Sequence, residues 1–137
     1  MGTTIRRKLI RDRIPEIRVA DGREAPETMD FNTMPLQDQL EIVSRKLLEE
    51  ALEAFHEINN DPVNNADARR ELVEEFADIV EIGGFIMALL DIDPQEVEAV
   101  RQDKFEKYGG FTKGLVYNAD PSDKPGSEAY DFEITRG

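Results

Sequence analysis

Two long stretches of the chain repeat apolar residues every three or four positions, which is the periodicity of an α-helix with one buried face. The first stretch runs from Leu36 to about Ile58, and the second runs from about Ala66 to Leu90. Asn59-Asn60-Asp61-Pro62 lies between them and breaks the helix. The chain is therefore predicted to be all-α, a bundle of long antiparallel helices with short extended segments at its ends.

Each stretch places its apolar residues on one stripe when successive residues are set about 100° apart around the helix axis. The stripe of the first helix comprises Leu36, Leu40, Val43, Leu47, Ala51, Ala54 and Ile58. The stripe of the second comprises Leu72, Phe76, Ile79, Gly83, Ile86 and Leu90. Residues 79–90 are apolar on nearly all sides, and a chain of 137 residues has too few helices to cover them. A homodimer or homotetramer that completes the bundle is therefore expected.

Carboxylates lie on or beside both stripes. The segment 49–53 reads E-E-A-L-E, and the segment 75–78 reads E-F-A-D. Glu50 lies at the border of its stripe and Glu75 falls inside its own, so carboxylates of the two helices can converge if the helices pack. A carboxylate directed into an apolar seam is costly unless a cation or hydrogen-bond donors compensate it. Few basic residues lie nearby in sequence, so a hard divalent cation, Mg²⁺ or Mn²⁺, suits these oxygen ligands.

An alternative interpretation treats the acidic residues as solvated helix faces, because Glu-rich faces are usually exposed. The chain would then be a non-enzymatic acidic helical module that pairs with a basic partner. That interpretation accounts for the charge and the amphipathic helices, but it gives no reason for Glu75 on an apolar face.

A third helix is predicted after the second. Asp93-Pro94-Gln95-Glu96 has the form of a helix start, with Asp as the N-cap and Pro at the first position. The helix should continue to about Tyr108 and end at Gly109-Gly110. A loop and a short extended segment are expected over 110–117. The last residues, 118–137, are predicted to form an acidic tail outside a single domain of residues 1–117.

The opening of the chain reverses the sign of its charge. Five of the 17 basic residues fall between positions 6 and 13. Residues 8–15 are either a short strand or turn leading into a helix that Pro15 starts, or a flexible basic arm. Residues 20–35 are predicted to be a turn-rich connector.

Composition excludes several classes of function. The chain has no cysteine, so disulfides, thiolate nucleophiles and cysteine-ligated zinc are ruled out, and its single histidine, His56, is expected to be exposed. A net charge of -13 argues against a nucleic-acid surface. No window approaches the roughly 18 apolar residues of a membrane span, and the N-terminus lacks a signal-peptide core, so a cytoplasmic protein without membrane contact is expected.

Three motifs follow one another along the chain, and together they cover most of residues 5–115. The carboxylate motif, E-E-x-x-E followed by E-x-x-D, resembles the signature of the all-alpha nucleoside triphosphate pyrophosphohydrolase superfamily, the MazG-like enzymes. Residues 8–15 resemble the K-L-x-R-D-x-I-P opening of a small single-domain branch of house-cleaning enzymes, and residues 104–111 resemble its K-x-x-x-x-G-G-F segment. Arg13 stands where that branch commonly has Lys, and Tyr108 stands where it commonly has Arg.

The resemblance implies an oligomeric, Mg²⁺-dependent enzyme that hydrolyses a nucleoside triphosphate, including noncanonical ones, to the monophosphate and pyrophosphate. It implies four metal ligands, which are Glu50, Glu53, Glu75 and Asp78. Glu49 would help to bind a second ion or orient the attacking water, and Glu49 or Glu50 is the candidate general base. Hydrolysis of phosphoribosyl-ATP or dUTP is the alternative activity. It ranks second because the motifs of residues 8–15 and 104–111 favour the house-cleaning branch.

Basic side chains must hold the leaving pyrophosphate. The candidates for substrate binding are Lys8, Arg11, Lys46, Lys104 and Lys107. Asp12 is placed with them because it can pair with a neighbouring basic residue and shape the site. Lys46 also has the spacing of an i,i+4 ion pair with Glu50, which is an alternative role for it.

Overall fold

The computed structural model describes residues 7–118, and the predicted tail lies outside that part of the chain except for its first residue. Residues 7–118 form four α-helices and a short 3-10 helix, with no strand among them, so the predicted all-α class is confirmed. The elements are α1 (Ile14–Ala20), the 3-10 helix (Phe31–Thr33), α2 (Leu36–Ile58), α3 (Ala66–Leu89) and α4 (Pro94–Tyr108).

The chain divides into two compact units between Asp91 and Ile92. The first unit contains α1, α2 and α3, and the second contains α4. This division falls inside the predicted domain of residues 1–117, whose boundary with the tail stays a prediction. No helix within residues 7–118 combines the length and the apolar character needed to cross a membrane.

The loop of residues 59–65 joins α2 to α3, and the two helices pack against each other. Asn59 follows the last residue of α2, and its side-chain amide donates a hydrogen bond to the carbonyl of Phe55 at 2.9 Å. Asn65 caps the N-terminus of α3, where its Oδ1 accepts the amides of Asp67 and Ala68 at 3.1 and 3.2 Å. These local contacts begin and end the helices where the sequence pattern predicted.

The buried faces of α2 and α3 cover only part of the predicted stripes. On α2 the buried residues are Ile42, Val43, Glu50 and Ala54. On α3 Ala68 and Ile82 are buried, and the half-buried residues between them include Leu72, Glu75 and Ile79. Predicted stripe residues such as Leu36 and Phe76 are instead more than half exposed. Because one chain supplies each helix with only one long neighbour, only part of each apolar surface is covered.

Phe31, in the 3-10 helix, connects the segment before α2 to both long helices. Its ring meets the ring of Phe85 on α3 edge to face, with centroids 5.4 Å apart. The backbone carbonyl of Phe31 accepts a hydrogen bond from the side-chain amide of Gln39 on α2 at 2.9 Å. The connector of residues 20–35 therefore returns to the helix pair just before α2 begins.

In the second unit, α4 begins as predicted. Asp93 accepts the Gln95 amide at 2.9 Å, and Pro94 lies in the first turn. The helix ends at Gly109, whose φ of 81° is a conformation that glycine adopts at low cost.

Candidate metal centre

Three carboxylates meet where α2 packs on α3. Glu50 comes from α2, and Glu75 and Asp78 come from one face of α3, three residues apart. One oxygen of each lies within 4.8 Å of the others. Glu50 is only 4% exposed, and the other two residues are half-buried. The structure therefore brings together three of the four predicted metal ligands.

While all three carboxylates are ionised, two buried oxygens of this cluster have no hydrogen-bond partner, Oε2 of Glu50 and Oε2 of Glu75. A buried carboxylate oxygen left unsatisfied is costly, and neighbouring negative charges increase the cost. A proton or a cation shared among the carboxylates removes that cost. The donor set is oxygen only and carries up to three negative charges, which fits Mg²⁺ or Mn²⁺ rather than a softer metal.

The protonation of the cluster is uneven. Burial, together with the nearby Glu50 and Glu53 carboxyls, raises the pKa of Glu75 from 4.5 to about 8. Burial also acts to raise the pKa of Glu50, but the Glu75 carboxyl and the Lys46 ammonium outweigh it and lower the pKa. Without a metal, Glu75 therefore carries a proton at neutral pH and Glu50 stays ionised.

Three basic side chains surround the carboxylates. Lys46 Nζ lies 2.9 Å from Glu50 and 3.8 Å from Glu49 on the same helix. Lys8 Nζ lies 2.6 Å from Glu49 Oε1, and the hydrogen bond from Lys8 to that carboxylate raises the pKa of Lys8. Arg11 Nη2 lies 2.5 Å from Asp78 Oδ1. The site is therefore acidic at its centre and basic at its rim.

Sequence reasoning did not find two of these pairs, Lys8 with Glu49 and Arg11 with Asp78. Few basic residues lie close to the carboxylates along the chain, because Lys8 and Arg11 precede them by tens of positions. Arg11 and Asp78 are 67 positions apart, and no local pattern predicts such a contact. The basic segment of residues 6–13 is the available signal for such pairs, because basic side chains in a molecule of net charge -13 are attracted to its many carboxylates.

Two other predicted acidic residues lie beside the cluster. Glu53 is exposed, outside the group of three carboxylates, although it is close enough to Glu75 to raise the pKa of that carboxyl. Glu49 is half-buried and is held by the ammonium groups of Lys8 and Lys46.

The other predicted substrate-binding residues lie away from these contacts or in the second unit. Asp12 is exposed in the turn before α1. Lys104 and Lys107 belong to α4, where the Lys107 ammonium lies 5.2 Å from the centroid of the Tyr108 ring. Their roles in substrate binding stay predictions.

No protein-family model matches the chain, and neither a curated protein nor a solved structure matches it. The geometry of the carboxylates and the motifs of the sequence are therefore the grounds for assigning a function.

Proposed function

We propose that this protein is a Mg²⁺-dependent nucleoside triphosphate pyrophosphohydrolase of the all-alpha, MazG-like kind. One observation carries the proposal: Glu50 is buried, and its unpartnered Oε2 belongs to a group completed by Glu75 and Asp78. A surface that only attracts a basic partner needs exposed charge, not a buried carboxylate at a helix interface. The arrangement therefore favours a cation site over an acidic interaction module.

Glu50, Glu75 and Asp78 would hold the ion, with Glu53 as a fourth ligand beside Glu75. A bound Mg²⁺, or Mn²⁺ in its place, supplies charge neutralisation at the reacting phosphate and acidifies a bound water. Glu75 must release its proton to act as a ligand, so ion binding is coupled to deprotonation of this residue.

The remaining groups have distinct proposed roles. Glu49 lies outside the three-carboxylate group and is therefore the candidate general base for the attacking water, whereas Glu50 is occupied with the ion. Lys8, Arg11 and Lys46 at the rim bind the phosphates of the substrate.

We further propose that the helices are antiparallel and complete their bundle in a homodimer or homotetramer. Val73, Phe76 and Val80 follow one another on α3 at spacings of three and four residues, and each is at least half exposed. An apolar row of this kind on a helix is the surface that another helix covers.

The test is pyrophosphate release from a panel of nucleoside triphosphates in the presence of Mg²⁺, with dUTP, noncanonical bases and phosphoribosyl-ATP included. Glu50→Gln and Glu75→Gln each remove a charged ligand from the cluster and should lower kcat by roughly a hundredfold or more. Circular dichroism should give the wild-type helical content, since the substitutions keep the side-chain volume.

Glu74→Gln is the matched control, because Glu74 is exposed on the same helix and next to Glu75. It should retain wild-type turnover. Full activity in both Glu50→Gln and Glu75→Gln would remove the cluster from the reaction. Turnover confined to phosphoribosyl-ATP or to dUTP would assign the protein to the dedicated enzymes instead.

A further inference from the structure

The segment before α1 supplies two of the basic groups at the cluster, and neither belongs to the helices that carry the carboxylates. Residues 7–11 form no helix or strand, and from this segment Lys8 reaches Glu49 and Arg11 reaches Asp78. The two basic side chains are 56% and 58% exposed. Groups so well exposed can leave their partners for water at little cost.

Lys46 differs from these two. It comes from α2 itself, it is 19% exposed, and it lies one turn from Glu50 at the i,i+4 spacing. Its position is tied to the helix, whereas the positions of Lys8 and Arg11 depend on a segment without regular structure. The cations around the cluster are therefore of two kinds, one built into the helix and two brought by the opening of the chain.

Asp78 is both a member of the carboxylate group and the partner of Arg11. A divalent cation held by the group and a guanidinium on the same carboxylate repel each other, since both are positive and lie within a few ångströms. The metal and Arg11 thus compete for the charge of Asp78.

We propose that Lys8 and Arg11 are exchangeable counter-ions of the carboxylates in the metal-free protein, and that a divalent cation displaces Arg11 from Asp78 when it binds. The released guanidinium is then available for a phosphate group, which its planar fork binds well. The opening segment therefore lowers the affinity for the metal and couples metal binding to the exposure of Arg11. This inference rests on the proposed metal site.

Calorimetric titration of the full chain with Mn²⁺ tests the exchange. Arg11→Gln removes the competitor and should lower the dissociation constant for Mn²⁺ by roughly threefold to tenfold. Arg45→Gln is the matched control, because Arg45 pairs with exposed Glu41 on α2 and its loss changes the net charge equally. It should leave the dissociation constant within about twofold of the wild type.

Limited proteolysis gives a second readout on the wild type. Trypsin should cleave after Arg11 faster when Mn²⁺ is present, while cleavage after Lys113, exposed in the turn that follows α4, keeps its rate. Mn²⁺ affinity that is unchanged or weaker in Arg11→Gln, or cleavage after Arg11 that Mn²⁺ does not accelerate, overturns the exchange alone. Absence of Mn²⁺ binding in the wild type overturns the metal site and the exchange together.

Discussion

Glu75 has the most strongly perturbed environment of the carboxylates in the cluster. Its Oε2 is buried without a partner, and the Glu50 and Glu53 carboxyls lie nearby. Burial and these like charges both disfavour its ionised form, so its pKa rises to about 8. Strongly raised values of this kind accompany sites where a proton or a metal is exchanged.

A pH dependence of stability follows from this pKa. Between pH 4.5 and about 8 the folded metal-free protein holds a proton on Glu75 that the unfolded chain has lost. The contribution of Glu75 to the free energy of unfolding should therefore be greatest below pH 4.5, and it should fall as the pH rises to about 8. Urea denaturation in the presence of a chelator, at pH 5 and at pH 8.5, measures the change.

Glu75→Gln should reduce the fall in the free energy of unfolding between pH 5 and pH 8.5, because glutamine does not ionise. Glu74→Gln, at an exposed position, should lose as much stability as the wild type over the same range. Equal pH dependence in wild type and Glu75→Gln would mean that Glu75 titrates normally in the folded protein.

The helix α3 carries two carboxylates of the proposed metal site and the apolar row of the proposed assembly. One face turns Glu75 and Asp78 towards α2, and another leaves Val73, Phe76 and Val80 exposed. Its formation depends on its own N-terminus as well as on packing, because the first four amides of a helix lack partners within it.

Asn65→Ala should lower the free energy of unfolding by about 0.5–2 kcal/mol, since Asn65 accepts two of those amides. Asn65→Asp keeps the acceptor and should retain most of the stability. The urea midpoint of unfolding measures both. Mn²⁺ affinity of the folded Asn65→Ala protein should match that of the wild type, because the cap lies nearly three turns from Glu75. An unchanged midpoint in Asn65→Ala would show that packing alone holds α3.

Few large apolar side chains are buried within residues 7–118. The buried hydrophobic residues within 7–118 are Ile42, Val43, Ala54, Ala68 and Ile82. Packing of this extent is small for the described part of the chain, because the stability of a folded protein depends mainly on apolar burial. Association with further copies would bury the exposed row of Val73, Phe76 and Val80 on α3.

Sedimentation velocity should therefore detect a dimer or tetramer for the wild type. Val80→Glu places a charge on a side chain that is 75% exposed in the single chain and should shift the protein towards monomer. Val63→Glu is the matched control: Val63 lies in the loop between α2 and α3 and is 89% exposed, so the assembly should persist. A wild type that stays monomeric at every concentration would contradict the proposed assembly.

Local signals in the sequence are enough to predict α2, α3 and α4, whereas the segment that contains α1 is compatible with either a helix or a flexible arm and the 3-10 helix at Phe31–Thr33 is not predicted. The apolar periodicity marked α2 and α3, and Asp93 and Gly109 marked the ends of α4. Such signals act over one or two helical turns, so no knowledge of the rest of the fold is needed to interpret them. For the same reason, the position of Glu75 on a face that packs could be predicted, and the structure confirms that position.

Which charged groups meet depends on the packing of α2 on α3 and on the path of the opening segment. Successive residues of a helix are about 100° apart, so Glu50 and Glu53, three positions apart, point about 60° away from each other around the axis of α2, and only Glu50 is buried. The pairing of Arg11 with Asp78 joins groups 67 positions apart. Periodicity carries no information about contacts at that separation, so the tertiary structure alone selects the carboxylates that converge and the cations that face them.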